Sequence, residues 1–172
     1  MAKTQKTVTK DGYAIFRKTQ KTVPEGRFRD NMNLHRVIIP SHIKEIRRCA
    51  FINCRNLEHV YFEDGDLACI QNYAFAGCES LRSMTVPEET LVLPFAFQGC
   101  IGLEQPIRSE SGDAFYAYPQ GWQLTQYTVP SGVNTIASTA FLENHALEEV
   151  ILPESVDRLD DQAFYESGIK RN

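Results

Sequence analysis

The sequence contains no run of apolar residues near the roughly 20 that a membrane-crossing helix needs, so no spanning helix is expected. Its start, Met1-Ala2-Lys3-Thr4-Gln5-Lys6-Thr7, has lysines but no apolar core of a secretory leader, so a cytoplasmic location is the expectation for the chain as written. It has five cysteines, an odd number, and no Cys-x-x-Cys pair. That pattern excludes a simple disulfide framework and the usual zinc site, and free, mostly buried thiols are the expectation. Phosphate-binding glycine loops, nucleophile elbows and the His-Glu-x-x-His zinc motif are also missing. The four histidines, His35, His42, His59 and His145, fall in different segments, with no pair at metal-ligand spacing and no nucleophile motif beside them. Glu148-Glu149 and Asp160-Asp161 are read as solvated charge rather than as an acid and base pair. No enzyme, metal or cofactor is expected.

What the chain has is a repeat. Cys49-Ala50-Phe51-Ile52-Asn53-Cys54-Arg55-Asn56-Leu57 returns as Tyr73-Ala74-Phe75-Ala76-Gly77-Cys78-Glu79-Ser80-Leu81 and as Phe95-Ala96-Phe97-Gln98-Gly99-Cys100-Ile101-Gly102-Leu103. A fourth copy runs from Ala140-Phe141 to Leu147, and between copies stand Pro40/Ile43/Ile46, Pro130/Val133/Ile136 and Pro153/Val156/Leu159. The phenylalanine column reads Phe28, Phe51, Phe75, Phe97, Phe115, Phe141 and Phe164, with steps of 23, 24, 22, 18, 26 and 23 residues. Asp113-Ala114-Phe115 is taken as a degenerate copy, shortened before its ring and lengthened after it by Tyr118-Pro119-Gln120-Gly121. A unit this short cannot bury its apolar face alone, so the units must stack as a solenoid. Leu57 to Phe62, Leu81 to Val86 and Leu147 to Leu152 alternate as half-buried strands, expected to line up in one parallel sheet. Alanine beside each phenylalanine suits a place where neighbouring coils touch.

The pattern Ile-Pro-Ser-x-Ile-x-x-Ile-x-x-x-Ala-Phe-x-x-Cys-x-x-Leu, cleanest at residues 39–57, resembles the BspA-type leucine-rich repeat, and the likeness covers roughly residues 23 to 169. The resemblance implies a right-handed leucine-rich-repeat superhelix with a parallel β-sheet on its concave face, mostly β and loop with little regular helix. It also implies a bacterial or protist surface location and adhesion to host matrix proteins or other protein contacts. Departures are Arg27 in the alanine column, Asn31, Asn144 and Ser167 in place of the cysteine, and the lack of a leader in the chain as written. Those substitutes make Cys54, Cys78 and Cys100 a column of small groups that hydrogen-bond a turning backbone rather than a metal site.

Residues 1–22, with an Asp11-Gly12 turn inside Val8–Phe16, are expected to form a β-hairpin cap, and residues 23–172 a solenoid of about six to seven coils. Lys3-Thr4-Gln5-Lys6-Thr7-Val8 recurs unchanged as Lys18 to Val23, either a pair of strands or an accident. Ser167–Asn172 stops where a strand would continue, which leaves an open edge or marks a piece of a longer protein. Residues 1–60 hold 13 Lys and Arg against 5 Asp and Glu, a net of +8, and residues 61–172 hold 5 against 17, a net of −12. The outward positions of the strands give two ladders. One is Arg36, His59, Ser83, Gln105, Gln126 and Glu149; the other is Ile38, Tyr61, Thr85, Ile107, Thr128 and Ile151. The isoleucines and Tyr61 form an apolar stripe of the kind that marks a protein-binding surface. A non-catalytic protein-binding module is therefore the leading expectation, with weak end-to-end self-association as the structural alternative. Nucleic acid, suggested only by the basic first third, is not expected as a partner.

Overall fold

The computed structural model describes residues 8–169, a β-solenoid of about six turns with no helix among the described residues. Each coil contributes two short strands, so the strands fall into two rows. The shorter row holds β1 (Thr22–Val23), β3 (Glu45–Ile46), β5 (Cys69–Ile70), β7 (Leu91–Val92), β9 (Ala114–Ala117), β11 (Thr135–Ile136) and β13 (Arg158–Leu159). The longer row holds β2 (Arg36–Ile39), β4 (His59–Phe62), β6 (Thr85–Val86), β8 (Ile107–Ser109), β10 (Gln126–Thr128) and β12 (Glu149–Ile151). Within a row the pairing is parallel, as stacking of like on like requires: Val23 opposes Ile46, Ile46 opposes Ile70, and Ile70 opposes Val92. The leucine, valine and isoleucine columns point inward because strand side chains alternate faces.

Between the rows the chain turns around the alanine–phenylalanine pair. Rings stack coil on coil, Phe28 on Phe51 and Phe51 on Phe75 at 5.0 Å, and Phe75 on Phe97 at 5.9 Å. The main chain bonds in the same register: Phe28 N donates to Ala50 O, Phe51 N to Ala74 O, Phe75 N to Ala96 O and Phe141 N to Ala163 O. Two left-handed residues flank each of Phe51, Phe75, Phe97 and Phe141, namely Cys49 and Asn53, Tyr73 and Gly77, Phe95 and Gly99, and Thr139 and Glu143, and they tighten the turn. The Cys54, Cys78 and Cys100 thiols donate to the carbonyls of Phe28, Phe51 and Phe75 at 2.9, 3.3 and 3.3 Å, so each thiol ties its coil to the one before. Burial pushes the pKa of Cys54 and Cys100 up to about 12 and that of Cys78 well above the ordinary thiol value.

The solenoid is irregular at its fifth ring. Phe115 does stack on Phe141, at 5.1 Å, but its main chain stands opposite Ile136. Tyr118 N donates to Ala140 O, so Ala117-Tyr118, and not Ala114-Phe115, holds the alanine–phenylalanine position. Three residue steps lead from Phe115 to Tyr118, against five from Ile46 to Phe51, so this turn is two residues short. With the turn missing, the Phe97 coil meets the Phe141 coil directly: Phe95 N donates to Thr139 Oγ1 at 2.9 Å and Gln98 Nε2 to Glu143 Oε1 at 2.7 Å. Gln120 fills what remains, its Oε1 accepting from Gly99 N and its Nε2 donating to Leu142 O, both at 3.0 Å.

The longer row is interrupted at the same level. Gln105-Pro106 puts one residue more than usual between Leu103 and the next inward position, and proline cannot donate to a ladder. Thr85 therefore opposes Arg108, and Ile107, expected on the outer stripe, is fully buried in the core. Past Ser109 the chain turns back at once, closed by Ser109 Oγ on Asp113 Oδ1 at 2.7 Å and by Gly112 at φ +79°. The Ser109 hydroxyl, with Ser111 behind it, holds the Asp113 carboxyl below the ordinary carboxylate range. β8 thus pairs antiparallel with β9, giving a five-stranded sheet ordered β13-β11-β9-β8-β6, and β10 pairs with β12 alone. The single parallel sheet expected for the longer strands is therefore divided, and the core divides with it into one cluster from Val23 to Ala117 and a second from Phe115 to Ala163.

At the N-terminal end Gly12 turns the chain at φ +79°, with Thr9 N bonded to Tyr13 O and Val8 bridged antiparallel to Ala14. Gly12 O then accepts from His35 and Arg36, which seats this turn on β2. The second Lys-Thr-Gln-Lys-Thr-Val segment ends in β1, while the first, apart from Val8, lies outside the described residues, as do residues 170–172. Among the described residues no helix is long and apolar enough to cross a membrane.

Candidate protein-binding face

The outward face of the longer strands carries most of the residues expected there. Arg36 opposes His59 and Ile38 opposes Tyr61 across β2 and β4, and His59 bridges onward to Ser83. Gln126 opposes Glu149 and Thr128 opposes Ile151 across β10 and β12. Arg36, Thr85, Thr128 and Glu149 are exposed and His59 is half-buried. Ile38 is 44% exposed, Tyr61 56% and Ile151 42%, high values for apolar side chains on ordered strands. Ile107 does not belong to this face, and because β8 and β10 do not pair with each other the stripe is two patches rather than one. Ile38, Tyr61 and Thr85 form the first, and Thr128 with Ile151 the second.

Around Ile38 and Tyr61 the chemistry is cationic and aromatic. The His59 and Tyr61 rings stack at 6.0 Å, and the Arg36 guanidinium donates to the Tyr13 hydroxyl oxygen at 3.4 Å, a bond that raises its pKa. Beside them Arg82 joins Glu58 at 3.8 Å and Glu104 at 3.0 Å, a surface chain worth about 1 kcal/mol or less per pair. Two members of this face were not foreseen. Arg108 takes the outward place assigned to Ile107, and Tyr13 reaches over from the N-terminal turn. The Gln105-Pro106 pair was the available signal for the first; the second is a contact between segments far apart in the chain.

Among the described residues no three His, Cys, Asp or Glu side chains are placed to hold a metal ion. The buried thiols hold their protons far above neutral pH, which denies them the thiolate that a nucleophile needs. Glu63, Asp64, Asp66, Glu88, Glu89 and Glu110 line an open cleft at the corner between the two rows.

Similar proteins agree with this architecture. The family described as BspA type leucine rich repeat region matches in six copies, over residues 12–118 and 113–171. A leucine-rich cell surface protein of Faecalibacterium prausnitzii A2-165 superposes with a TM-score of 0.53 and 24% identity, covering 87% of this chain and 35% of its own. A leucine-rich repeat protein of Bacteroides ovatus ATCC 8483 gives 0.52 and 24%, covering 87% of this chain and 45% of its own. The leucine-rich repeat protein of T. pallidum gives 0.54 and 22%, covering 92% and 86%. The chain thus spans less than half the length of the first two. No curated protein sequence matches.

Proposed function

This chain belongs to the BspA-type leucine-rich-repeat family, and from that premise we propose that it is a non-catalytic protein-binding module docking through the outward face of its longer strands. Leucine-rich-repeat proteins are generally protein-interaction modules, and their fold is typically non-catalytic. The observation that carries the choice of face is the exposed Ile38–Tyr61 pair, held in register on adjacent strands and flanked by Arg36 and His59. Aromatic and arginine side chains around an apolar centre are the composition of binding hot spots. Adhesion, the role that the surface location of the F. prausnitzii relative suggests, is the form of binding we assign. Tyr61→Ala with Ile38→Ser should weaken binding of a cognate matrix or surface protein by about 2 kcal/mol or more while the circular dichroism spectrum stays unchanged. Parent-like affinity of that double variant would remove this face from consideration.

A second reading, weak end-to-end self-association, draws on one observation. Among the described residues, 8–60 hold 11 Lys and Arg against 5 Asp and Glu, a net of +6, and 61–169 hold 3 against 17, a net of −14, at successive levels of a nearly one-dimensional stack. Opposite ends of two molecules attract at low salt, where the Debye length is about 10 Å or more. Light scattering across a salt series decides it, and a salt-independent monomer at high concentration refutes it.

A further inference from the structure

Leu124 is out of place. It shares a column with Leu34, Leu57, Leu81, Leu103 and Leu147, which are at most 4% exposed, yet Leu124 is 46% exposed. The cause is volume. The Tyr118 coil places Phe115 and Tyr118 in the interior with the half-buried Tyr127 packed against them, where neighbouring coils use one ring and aliphatic side chains. With Tyr118 4.9 Å from Tyr127 and 5.5 Å from Phe141, no room remains for a leucine. Ile101, 55% exposed, and the half-buried Trp122 hold equivalent places on adjoining coils, and the backbones touch, since a Cβ on Gly121 would collide with Ile101 O. Leu124, Ile101 and Trp122 therefore form an apolar patch at the entrance to β10.

The patch leads onto an unpaired strand edge. Thr125 O accepts from Glu148 and Glu149, and Val129 N donates to Ile151 O, so residues 125, 127 and 129 bond toward β12. Alternate residues of a strand bond to opposite sides, which directs the N–H and C=O of Gln126 and Thr128 to the side from which β8 has been withdrawn by β9. Leu124-Thr125-Gln126-Tyr127-Thr128-Val129 has no charge, no proline and no bulge, three of the devices that keep a sheet edge from pairing. Its surroundings are acidic on balance: residues 101–152 hold six Asp and Glu against one cation, Arg108, which lies near Tyr127, and Glu104 is paired with Arg82. A second copy meeting this edge across a two-fold axis would set two such segments against each other.

We propose that the β10 edge, with Leu124, Ile101 and Trp122 as its anchor, takes up by strand addition an extended, positively charged segment of a partner protein bearing alternate apolar side chains. Main-chain bonds to Gln126 and Thr128 supply affinity, the apolar patch receives one side chain, and the flanking carboxylates select for positive charge. This site is separate from the Ile38–Tyr61 face and does not depend on it.

The probes are two labelled heptapeptides, Lys-Val-Thr-Val-Thr-Val-Lys and the same peptide with glutamate at both ends, titrated into the full chain by fluorescence anisotropy. The lysine peptide should bind at least about tenfold more tightly, an advantage that shrinks with salt. It should shift the amide signals of Gln126 and Thr128 before those of other strands. Thr128→Pro removes an edge N–H that β12 does not use, so it should cost about tenfold in peptide affinity and leave the thermal melt in place. Leu124→Ser should weaken binding similarly, whereas Tyr61→Ala with Ile38→Ser should leave it unchanged. If Thr128→Pro melts early, the amide shifts of the parent chain and the Leu124→Ser titration decide. Equal binding of the two peptides, shifts centred on another strand, unaltered affinity of Leu124→Ser, or a homodimer that closes the β10 edge without peptide would each overturn the proposal.

Discussion

Leu124 and Leu147 occupy the same column on successive coils, and truncating each to alanine should give very different results. Leu147 is 1% exposed inside the cluster built by Phe141, Val133 and Ile136. Leu147→Ala removes its buried carbons and leaves a cavity that the stacked coils above and below hold open, a loss of about 2–5 kcal/mol. Leu124 has nearly half its surface in water already, and no closed cavity forms when it is shortened. At about 25 cal/mol per Å², removing what remains buried costs about 1 kcal/mol or less. Both changes act near the second core cluster, where Trp122 packs 5.4 Å from Tyr118 and reports unfolding by its fluorescence. In urea the Leu147→Ala midpoint should fall by about 1–2 M, given slopes of about 1–3 kcal/mol/M, and that of Leu124→Ala by well under half as much. Equal midpoints, or a larger drop for Leu124→Ala, would refute the claim that this leucine has been displaced from the core.

Three further outcomes follow from the geometry. Gln120→Ala removes the side chain that satisfies both Gly99 N and Leu142 O, so it should cost about 1–3 kcal/mol, with the Gly99 amide exchanging faster than its neighbours. Gly65→Ala should cost about 1–3 kcal/mol in thermal or urea unfolding, because its Cβ would stand 2.6 Å from Ser41 O and 2.8 Å from Ser41 Cα on the previous coil. Cys54 and Cys100, buried to a pKa of about 12 against 9.0, and Tyr116, about 12 against 10.0, all hold their protons more tightly when folded. Stability from these groups is fully present below pH 9 and is lost as pH rises from 9 toward 12, where the unfolded chain ionises first. A circular dichroism titration should show it, with alkylation below pH 9 marking the half-exposed Cys69 before Cys54, Cys78 or Cys100.

The repeat period was enough to place the strands, the ring stack and the cysteine column. Each inward position depends on local spacing alone, and each coil sees the same neighbours above and below. Phe51, Ile46 and Leu57 land inside because their copies in adjoining coils do, and Arg36, Ile38, Tyr61 and Thr85 land outside by the alternation of strand side chains. What the sequence by itself left undetermined is the level from Leu103 to Leu124. There an extra residue at Gln105-Pro106 and a turn two residues short largely offset each other in the spacing, so counting residues hides both. Ile107 turned inward, Arg108 outward, and Tyr118 took the main-chain place given to Phe115. Whether β9 pairs with β7 or turns back on β8 is a competition between hydrogen bonds to different parts of the chain, and only the assembled coils settle it. Three aromatic side chains then filled that coil, Leu124 was left in solvent, and the edge of β10 stayed unpaired. Those results depend on volume and partner choice in three dimensions, which a pattern along one dimension does not contain.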